Sequence, residues 1–315
     1  MSAAAPRAVV FAYHDVGVRC LRTLLAHGVK VPLVVTHPDN PAESLWFESV
    51  ARHAAWHGLP VLSVERADAP GLFEQVAAAR ADFLFSFYFR AMLGEPLLAL
   101  APRGAYNMHG SLLPRYRGRA PVNWAVLHGE RETGATLHAM TVKPDAGAII
   151  AQESVPILPD DTALEVFRKV TVAAERALDR CLPALLAGTA SHVPQDPAAV
   201  SYFGRRTAGD GAIDWRRGAW AVHNLIRAVA PPYPGAFGRA ADRPLTIRRS
   251  LLGPAELSAA APALVVRADG VHALCHDGSV KLLEFALGAD IRDAADFRRA
   301  FGERAVPLQK LLEDK

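Results

Sequence analysis

In the first half of the chain, short apolar runs alternate with stretches whose apolar residues recur at helical spacing. The run at residues 8–13 is continuously apolar, and the segment after it, 16–27, has the helical pattern and ends before Gly28. Continuous apolar strands of this kind are buried on both faces, so we expect a parallel sheet covered by helices. The pattern predicts strands at residues 8–13, 31–36, 61–64, 83–87, 104–108, 133–142 and 148–155, and helices at 16–27, 42–57, 71–80, 121–128 and 161–186.

The pattern changes after about residue 190. The stretch 191–199 holds two prolines and few large apolar residues, which is typical of a linker. Beyond it, short β-rich runs separated by turn residues predict a small barrel-like unit with one helix. We therefore predict a first domain over residues 1–190, a linker over 191–200 and a second domain over 201–315. The runs lie at 245–248, 263–267, 271–275 and 280–285, and the helix at 220–229.

The turn after the first strand argues against a dinucleotide site. It reads Tyr13-His14-Asp15-Val16-Gly17 and so carries a single glycine, whereas the dinucleotide fingerprint needs several. The sequence also lacks a GxxxxGK(S/T) phosphate loop, which weakens a kinase or ATPase interpretation. A parallel sheet still binds its ligands at the carboxyl ends of its strands, so candidate residues are sought there.

Composition and charge indicate an ordinary globular chain. Its 315 residues carry a formal net charge of +3, and residues 201–315 hold 17 Lys or Arg against 13 Asp or Glu, which does not favour a nucleic-acid partner. Three well-separated cysteines, Cys20, Cys181 and Cys275, are typical of reduced thiols in a cytosol. The sequence has neither a secretory signal core nor an apolar run near the roughly 20 residues that cross a bilayer, so we expect a cytoplasmic protein without a membrane partner.

Three polar residues near the middle of the chain are the strongest catalytic candidates. Asn107 and His109 are alternate residues at the end of a predicted strand, so both side chains can face one pocket. An amide can donate to an oxyanion, and an imidazole can take a proton near neutral pH. Asp145, in a Pro-Asp-Ala-Gly turn, can keep His109 basic and correctly rotated. Polar residues at strand ends also cap turns without catalytic roles, and spacing alone leaves that alternative open.

A metal site is a weaker alternative. His272, Cys275 and His276 lie close together in the sequence, but a strand sends His272 and Cys275 to opposite faces, and no fourth ligand is evident. We therefore predict that the protein binds no metal.

The segment around the catalytic candidates carries a family resemblance. NMHGSLLPRYRGRAP, the following ETG and DAGAIIAQ resemble the signature of the 10-formyltetrahydrofolate-dependent formyltransferases, where an Asn-x-His pair and a later Asp form the catalytic centre. The resemblance implies an α/β fold with a Rossmann-like, doubly wound, mostly parallel sheet that lacks the dinucleotide fingerprint, followed by a small OB-like β-barrel. It also implies that Asn107, His109 and Asp145 are catalytic and that 10-formyltetrahydrofolate is the cosubstrate.

Further segments indicate which members of that family the chain resembles. VVFAYHDVG, THPDNPAE, FSFYFR and YFGRRT are similar to the UDP-4-amino-4-deoxy-L-arabinose formyltransferases of lipid A modification. The resemblance implies folate contacts at Ala91, Met92, Leu93, Arg119, Thr141, Val142, Lys143 and Pro144. The Ala-Met-Leu triple replaces a His-Leu-Ile triple in these relatives, so we expect contacts there through the backbone.

Arginines in one loop give a separate physical hint about ligands. Arg115, Arg117 and Arg119 carry guanidinium groups that suit folate carboxylates or the pyrophosphate of a sugar nucleotide. Solvated loop charges are the alternative, and Arg119 is the residue to which the resemblance assigns a folate contact.

The expected activity is transfer of a formyl group from 10-formyltetrahydrofolate to the 4-amine of a nucleotide-linked amino sugar, with UDP-4-amino-4-deoxy-L-arabinose as the first choice. Two alternatives share the core motif, namely a formyltransferase for another such sugar and a methionyl-tRNA formyltransferase, which calls for a more basic second domain. A third alternative is a folate-binding module without catalytic activity. The partner is then a small molecule, and the protein partners considered are a second copy of the chain or a separate decarboxylase.

Overall fold

A computed structural model of the chain describes residues 5–39 and 46–309. Contacts divide them into two compact units, the second of which holds Val122–Arg131, Pro156–Phe167 and the described residues from Gly204 onward. The strands are β1 Arg7–Ala12, β2 Lys30–Thr36, β3 Val61–Ser63, β4 Phe83–Phe87, β5 Ala105–His109, β6 Arg117–Gly118, β7 Glu132–Ala139, β8 Ile149–Pro156, β9 Tyr202–Phe203, β10 Ala236–Ala240, β11 Arg243–Leu252, β12 Ala263–Arg267, β13 Gly270–Cys275, β14 Gly278–Leu287 and β15 Val306–Gln309. The α-helices are α1 His14–Ala26, α2 Val50–Trp56, α3 Leu72–Ala78, α4 Glu95–Leu98, α5 Pro121–Leu127, α6 Ala163–Ala187, α7 Ala219–Ala228 and α8 Ala294–Phe301.

The first unit is built on a seven-stranded sheet in the order β3-β2-β1-β4-β5-β7-β8. The strands from β3 to β5 are parallel, whereas β7 runs antiparallel to β5. All residues of β4 are buried, and Phe83, Phe85 and Phe87 stack in succession along it. A strand buried on both faces has an uninterrupted apolar sequence, which is why the pattern locates it. The predicted doubly wound, mostly parallel sheet is confirmed.

Two helices of this unit differ from the pattern. The helix expected from residue 42 begins at Val50, because the Ser49 hydroxyl accepts a hydrogen bond from the N–H of Arg52 at 3.2 Å and so caps the first turn. Residues 42–45 of the expected helix lie outside the described residues, and 46–49 are not helical. The pattern does not predict α4, since a single turn is too short to show a helical period.

The second unit contains a closed barrel of six strands in the order β10-β11-β14-β13-β12-β15. Neighbouring strands are antiparallel, and fully buried side chains such as Leu245, Ile247 and Val280 belong to its core. The expected small β-barrel is confirmed. The pattern misses β10, which is rich in small residues, and β15, which has four residues with a proline, because neither has a strong β propensity.

The segment that follows α6 has structure of its own. Val193 pairs with Ile149 in an isolated β-bridge, and Pro197–Ala199 form a 3-10 turn. The domain bounds expected from composition, 1–190, 191–200 and 201–315, stay a prediction. Among the described residues, no helix has both the length and the apolar character needed to cross a membrane.

Candidate active site

Asn107 and His109 lie at the end of β5, and the antiparallel strand β7 brings a second histidine beside them. Asn107 is in register with His138. The connection between β7 and β8 carries Asp145, whose Oδ1 lies 3.5 Å from Nδ1 of His109 and 3.6 Å from Nε2 of His138. The three residues expected to be catalytic are therefore brought together, and His138 completes a cluster of four.

The ring of His109 is fixed by a backbone carbonyl. Its Nε2 lies 2.8 Å from the carbonyl oxygen of Tyr116. Because a carbonyl oxygen only accepts hydrogen bonds, Nε2 carries the proton, and in the neutral ring Nδ1 holds the free electron pair. This Nδ1 is the atom that faces Asp145. The short hydrogen bond that sets the rotation of the ring is thus made by Tyr116, while Asp145 acts on it as a nearby charge.

The surroundings of His109 favour its neutral form. Burial lowers its pKa below the ordinary value, because the residue is only 7% exposed. The charge of Asp145 and the hydrogen bond to Tyr116 oppose this effect. The cationic forms of His138 and Arg117 add to it. At neutral pH the imidazole is therefore uncharged and able to accept a proton.

Asp145 is held in its ionised form. Burial works against ionisation of this carboxyl group, but the N–H of Gly118 and the imidazoles of His109 and His138, when these carry a proton, outweigh it and lower its pKa. The Gly118 N–H donates to Oδ2 at 2.9 Å, which leaves Oδ1 facing the two rings. A fixed negative charge beside Nδ1 stabilises the imidazolium that forms when His109 takes up a proton.

His138 orients the amide of Asn107. Nδ1 of His138 donates to the carbonyl oxygen of Ala139 at 2.8 Å, so Nε2 of the neutral ring is an acceptor, and it lies 3.1 Å from Nδ2 of Asn107. One amide N–H is thereby engaged, and the second is available to a substrate oxygen. Sequence reasoning missed His138, although it is the one imidazole of β7. Its alignment with Asn107 depends on the strand register, which the sequence does not show.

Backbone strain is concentrated at positions that follow strands of the first unit. Of the described residues, eight that are not glycine have a positive φ; four of these follow β1, β4, β5 or β7, and a fifth follows β6. Left-handed backbone of this kind costs on the order of 1–3 kcal/mol per residue and clusters at functional sites. Tyr116, which anchors the ring of His109, and Asp145, which faces it, are both among them. The five are His14, Tyr88, Tyr116, Ala120 and Asp145.

The first segment expected to contact folate follows β4. Leu93 is buried in a hydrophobic cluster against which Ala91 and Met140 also pack. Met140 directly precedes the second expected segment, so the structure brings the two segments to the same cluster. Met92, which lies between Ala91 and Leu93 in the sequence, is 55% exposed, and an exposed apolar side chain suits contact with a ring ligand.

The second expected segment leads into Asp145. It forms a turn in which the Thr141 hydroxyl donates to the carbonyl oxygen of Lys143 at 2.9 Å. Val142 is exposed, and Pro144 immediately precedes the catalytic candidate. A ligand held along this turn would therefore lie close to the carboxylate. The folate contacts of both segments stay a prediction.

The loop arginines have different surroundings. Arg119 is exposed, and its Nη2 lies 3.4 Å from the carbonyl oxygen of Arg90, the residue before Ala91. Arg117 is buried, and its Nε and Nη2 donate to Oε1 of Gln195 at 3.1 and 2.7 Å. A buried guanidinium engaged by a protein amide is not placed to meet an incoming anion. Arg117 is therefore excluded from the anion-binding site that the sequence suggests for the loop arginines.

The alternative metal residues also have protein partners. Nε2 of His272 lies 3.0 Å from Oδ1 of Asp269. Within residues 5–39 and 46–309, no group of three or more His, Cys, Asp or Glu side chains is arranged to hold a metal ion.

Two family models match the chain. Residues 18–182 match the model described as formyl transferase, and residues 206–302 match the one described as formyl transferase, C-terminal domain. The chain belongs to the formyl transferase family. The first match covers the sheet from β2 to β8 and the cluster around His109, and the second covers the barrel except β15. The predicted enzyme class, a formyltransferase, is confirmed by these matches.

Solved structures of other formyltransferases share the fold of this formyl transferase. An N-formyltransferase from Helicobacter canadensis, in complex with folinic acid and dTDP-3-aminofucose, is 19% identical with a TM-score of 0.69, covering 90% of this chain and 100% of its own. WlaRD, a sugar 3N-formyl transferase solved with dTDP and 5-N-formyl-THF, is 17% identical with a TM-score of 0.70, covering 99% and 100%. A sugar N-formyltransferase from Shewanella sp. FDAARGOS_354 is 18% identical with a TM-score of 0.60, covering 77% and 96%.

Proposed function

We propose that this formyl transferase moves the formyl group of 10-formyltetrahydrofolate to the 4-amine of a nucleotide-linked amino sugar, with UDP-4-amino-4-deoxy-L-arabinose as the acceptor. The observation that carries the proposal is a neutral imidazole, His109, whose free Nδ1 faces the ionised Asp145 beside the amide of Asn107. Acyl transfer to an amine needs a base, a charge that stabilises the protonated base, and a donor to the oxyanion. The cluster supplies all three.

In the addition step, the amine nitrogen attacks the formyl carbon and the carbonyl electron pair moves to oxygen. The second N–H of Asn107 donates to this oxyanion, a contact worth about 10²- to 10³-fold in rate. Nδ1 of His109 takes the proton that the nitrogen loses, which contributes about 10²- to 10⁴-fold. Asp145 stabilises the resulting imidazolium. In the collapse step, the bond between the formyl carbon and N10 breaks, and His109 returns its proton to N10 as tetrahydrofolate leaves.

Support for the folate donor comes from the position of the expected contacts. Leu93 belongs to a hydrophobic cluster against which Ala91 and Met140 pack, and Met140 directly precedes residues 141–144. Arg119 donates to the carbonyl oxygen of Arg90, the residue before Ala91. The Helicobacter canadensis protein and WlaRD were solved with folinic acid and 5-N-formyl-THF. We propose that backbone groups of the two segments, with Arg119, hold the donor so that its N10 faces His109.

Support for a sugar-nucleotide acceptor comes from two directions. The same two proteins were solved with dTDP-3-aminofucose and dTDP, respectively. The segments VVFAYHDVG, FSFYFR and YFGRRT of this chain resemble enzymes that act on UDP-4-amino-4-deoxy-L-arabinose. A place in lipid A modification, and so in resistance to cationic antibiotics, follows only if that acceptor is correct.

The remaining expectations about partners and location belong to the same proposal. The acceptor is a small molecule, and the mild charge of the second half gives no reason to invoke a nucleic acid. A cytoplasmic location, self-association and binding to a separate decarboxylase stay predictions.

The proposal is tested by a formylation screen. The purified chain receives 10-formyltetrahydrofolate and, in separate reactions, UDP-4-amino-4-deoxy-L-arabinose, other UDP- and dTDP-linked amino sugars, and methionyl-tRNA. Tetrahydrofolate release and the mass of the acceptor are measured together. We expect release and a formyl adduct with UDP-4-amino-4-deoxy-L-arabinose, and the highest kcat/KM for that acceptor.

Two controls make the screen specific. UDP-arabinose, which lacks the amine, should give no adduct, and tetrahydrofolate in place of the formyl donor should give none with any acceptor. Higher kcat/KM for another amino sugar would refute the assigned acceptor while leaving the reaction intact. Absence of turnover with every amino-sugar nucleotide would refute the proposed function, and turnover with methionyl-tRNA alone would replace it.

A further inference from the structure

The segment after α6 contributes one side chain to the interior of the first unit. Across residues 191–200, every residue is exposed except Gln195, which is partly buried. The Nε2 of Gln195 donates to the carbonyl oxygens of Asp145 and Gly147 at 2.8 and 2.7 Å. Its Oε1 accepts from Nε and Nη2 of Arg117 at 3.1 and 2.7 Å. A stretch that composition describes as a linker therefore holds an amide with four hydrogen bonds.

The orientation of this amide is forced by its partners. Two carbonyl oxygens can only accept and a guanidinium can only donate, so the amide has one arrangement that satisfies all four bonds. Arg117 is 7% exposed, and two nitrogens of its guanidinium donate to Oε1 of Gln195. Gln195 is therefore its side-chain acceptor. Loss of the amide would leave a buried cation and two loop carbonyls without these partners, which is costly.

Both ends of the bridge are connected to Asp145. On one side, Gln195 holds the backbone of Asp145, which is in the left-handed region at φ 52 and needs external support to remain there. On the other side, Arg117 is followed by Gly118, whose N–H binds the Asp145 carboxylate at 2.9 Å. The amide thus links the two segments that determine where this carboxylate lies.

We propose that Gln195 is a positioning residue for formyl transfer, which holds the Asp145 carboxylate against Nδ1 of His109 by bridging the Asp145 loop to Arg117. This inference rests on the proposed function, because it assumes that His109 is the base. Gln195 does not touch the reacting atoms, and it acts through Asp145.

The consequence for His109 follows from the charged and titratable groups that face it. These are Asp145 from the β7–β8 connection, His138 from β7 and Arg117 from β6. Only the charge of Asp145 raises the pKa of His109 among the three. When the loop relaxes and the carboxylate moves away, this stabilisation of the imidazolium weakens, and the pKa of His109 falls further below its ordinary value.

The test compares Gln195→Met with Asp196→Ala. Methionine keeps the length of the side chain but provides no amide, and Gln195→Ala serves as a second variant if the methionine variant folds poorly. Asp196 is the adjacent residue, and its side chain accepts only a local hydrogen bond from the N–H of Ala198 at 2.9 Å. The control therefore perturbs the same segment without touching the Asp145 loop.

Two readouts are measured on the full chain. The first is the dependence of kcat on pH with 10-formyltetrahydrofolate and the best acceptor of the screen. The second is the NMR titration of the His109 ring, assigned by comparison with His109→Ala, which needs no substrate. For Gln195→Met we expect kcat to fall about 10- to 100-fold, with the acid limb and the ring titration both shifted to lower pH. Asp196→Ala should match the wild type in both.

A merely structural Gln195 gives a different result. It would lower the unfolding temperature but leave the pKa of His109 where it is in the wild type, and that outcome overturns the inference. A kcat equal to that of Asp196→Ala overturns it as well. If the wild type shows no formyl transfer, the proposed function fails, whereas a downward shift of the ring titration would still establish that Gln195 positions Asp145.

Discussion

At the scale of residues, the chemistry of the site depends on which nitrogen of His109 is free. The N–H at Nε2 donates a hydrogen bond to the carbonyl oxygen of Tyr116, so Nδ1 is the basic atom, and Asp145 lies next to that atom. Asn107 has the matching constraint, since His138 engages one of its two amide hydrogens. The cluster therefore consists of two pairs, His109 with Asp145 and Asn107 with His138, and in each pair protein contacts fix the orientation of the group assigned to the chemistry.

The pH dependence of turnover follows from the first pair. His109 must be neutral to accept a proton, and burial lowers its pKa below 6.5, so we expect kcat to stay level down to that pH and to decline only below it. Asp145→Asn removes the charge that raises this pKa. We expect its acid limb to move to lower pH, with a lower plateau because the imidazolium loses its stabilising charge. A limb that moves to higher pH would contradict the assigned pair.

The second pair predicts a pattern in a double-mutant cycle. His138→Leu removes the acceptor that orients the amide of Asn107, and we expect kcat to fall about tenfold, less than the roughly 10²- to 10³-fold expected for Asn107→Ala. Because His138 is assigned to act through Asn107, the double variant should be no slower than Asn107→Ala alone. Additive losses, measured as kcat at saturating substrates, would mean that His138 acts independently.

At the scale of elements, the connection between β7 and β8 decides whether the cluster assembles. Asp145 lies two residues before Gly147, and a Cβ at Gly147 would lie 1.9 Å from the carbonyl oxygen of Ala139 at the end of β7. That distance is far shorter than a van der Waals contact, and the clashing atom belongs to the backbone, which cannot rotate away as a side chain can. The connection can therefore lie close to β7 only with glycine at this position.

Gly147→Ala should therefore displace the Asp145 loop. We expect a loss of about 1–3 kcal/mol in the free energy of unfolding, as for other overpacked sites, and a lower kcat. The matched control is Gly204→Ala, since a Cβ there has no atom within 4 Å and the backbone is not left-handed. Chemical denaturation and steady-state kinetics check both effects. Equal behaviour of the two variants would show that the loop tolerates the added methyl group.

Elements differed in how far their sequences revealed them. The pattern predicts β4 with its observed bounds because a fully buried strand is apolar throughout. It predicts α6 to within a few residues because the helical spacing of apolar residues continues over many turns. The pattern misses β10, which is rich in small residues, and β15, which has only four residues. Each forms a strand only through pairing with its neighbours in the closed barrel. The start of α2 differs from the prediction because the Ser49 hydroxyl caps the helix at Val50, and this local hydrogen bond replaces a further helical turn before it.

At the scale of the whole molecule, the sequence revealed the residues of the site better than their arrangement. Asn107 and His109 could be paired because alternate strand residues share a face. His138 could not be paired with Asn107, since the antiparallel register is a tertiary property. Gln195 was hidden for another reason, because its surroundings are polar and proline-containing, and only folding brings its amide against Asp145.

The most direct test of the account follows the formyl group itself. Wild type and His109→Ala, each in excess over substrate, are mixed with the best amino-sugar nucleotide and with 10-formyltetrahydrofolate that carries ¹³C at the formyl carbon. The labelled product is quantified by mass spectrometry over a single turnover. The control is His57→Ala, which removes an exposed imidazole elsewhere in the same unit. We expect label on the acceptor nitrogen at the wild-type rate for His57→Ala and about 10²- to 10⁴-fold more slowly for His109→Ala. Label transferred by His109→Ala as fast as by the wild type would contradict this expectation.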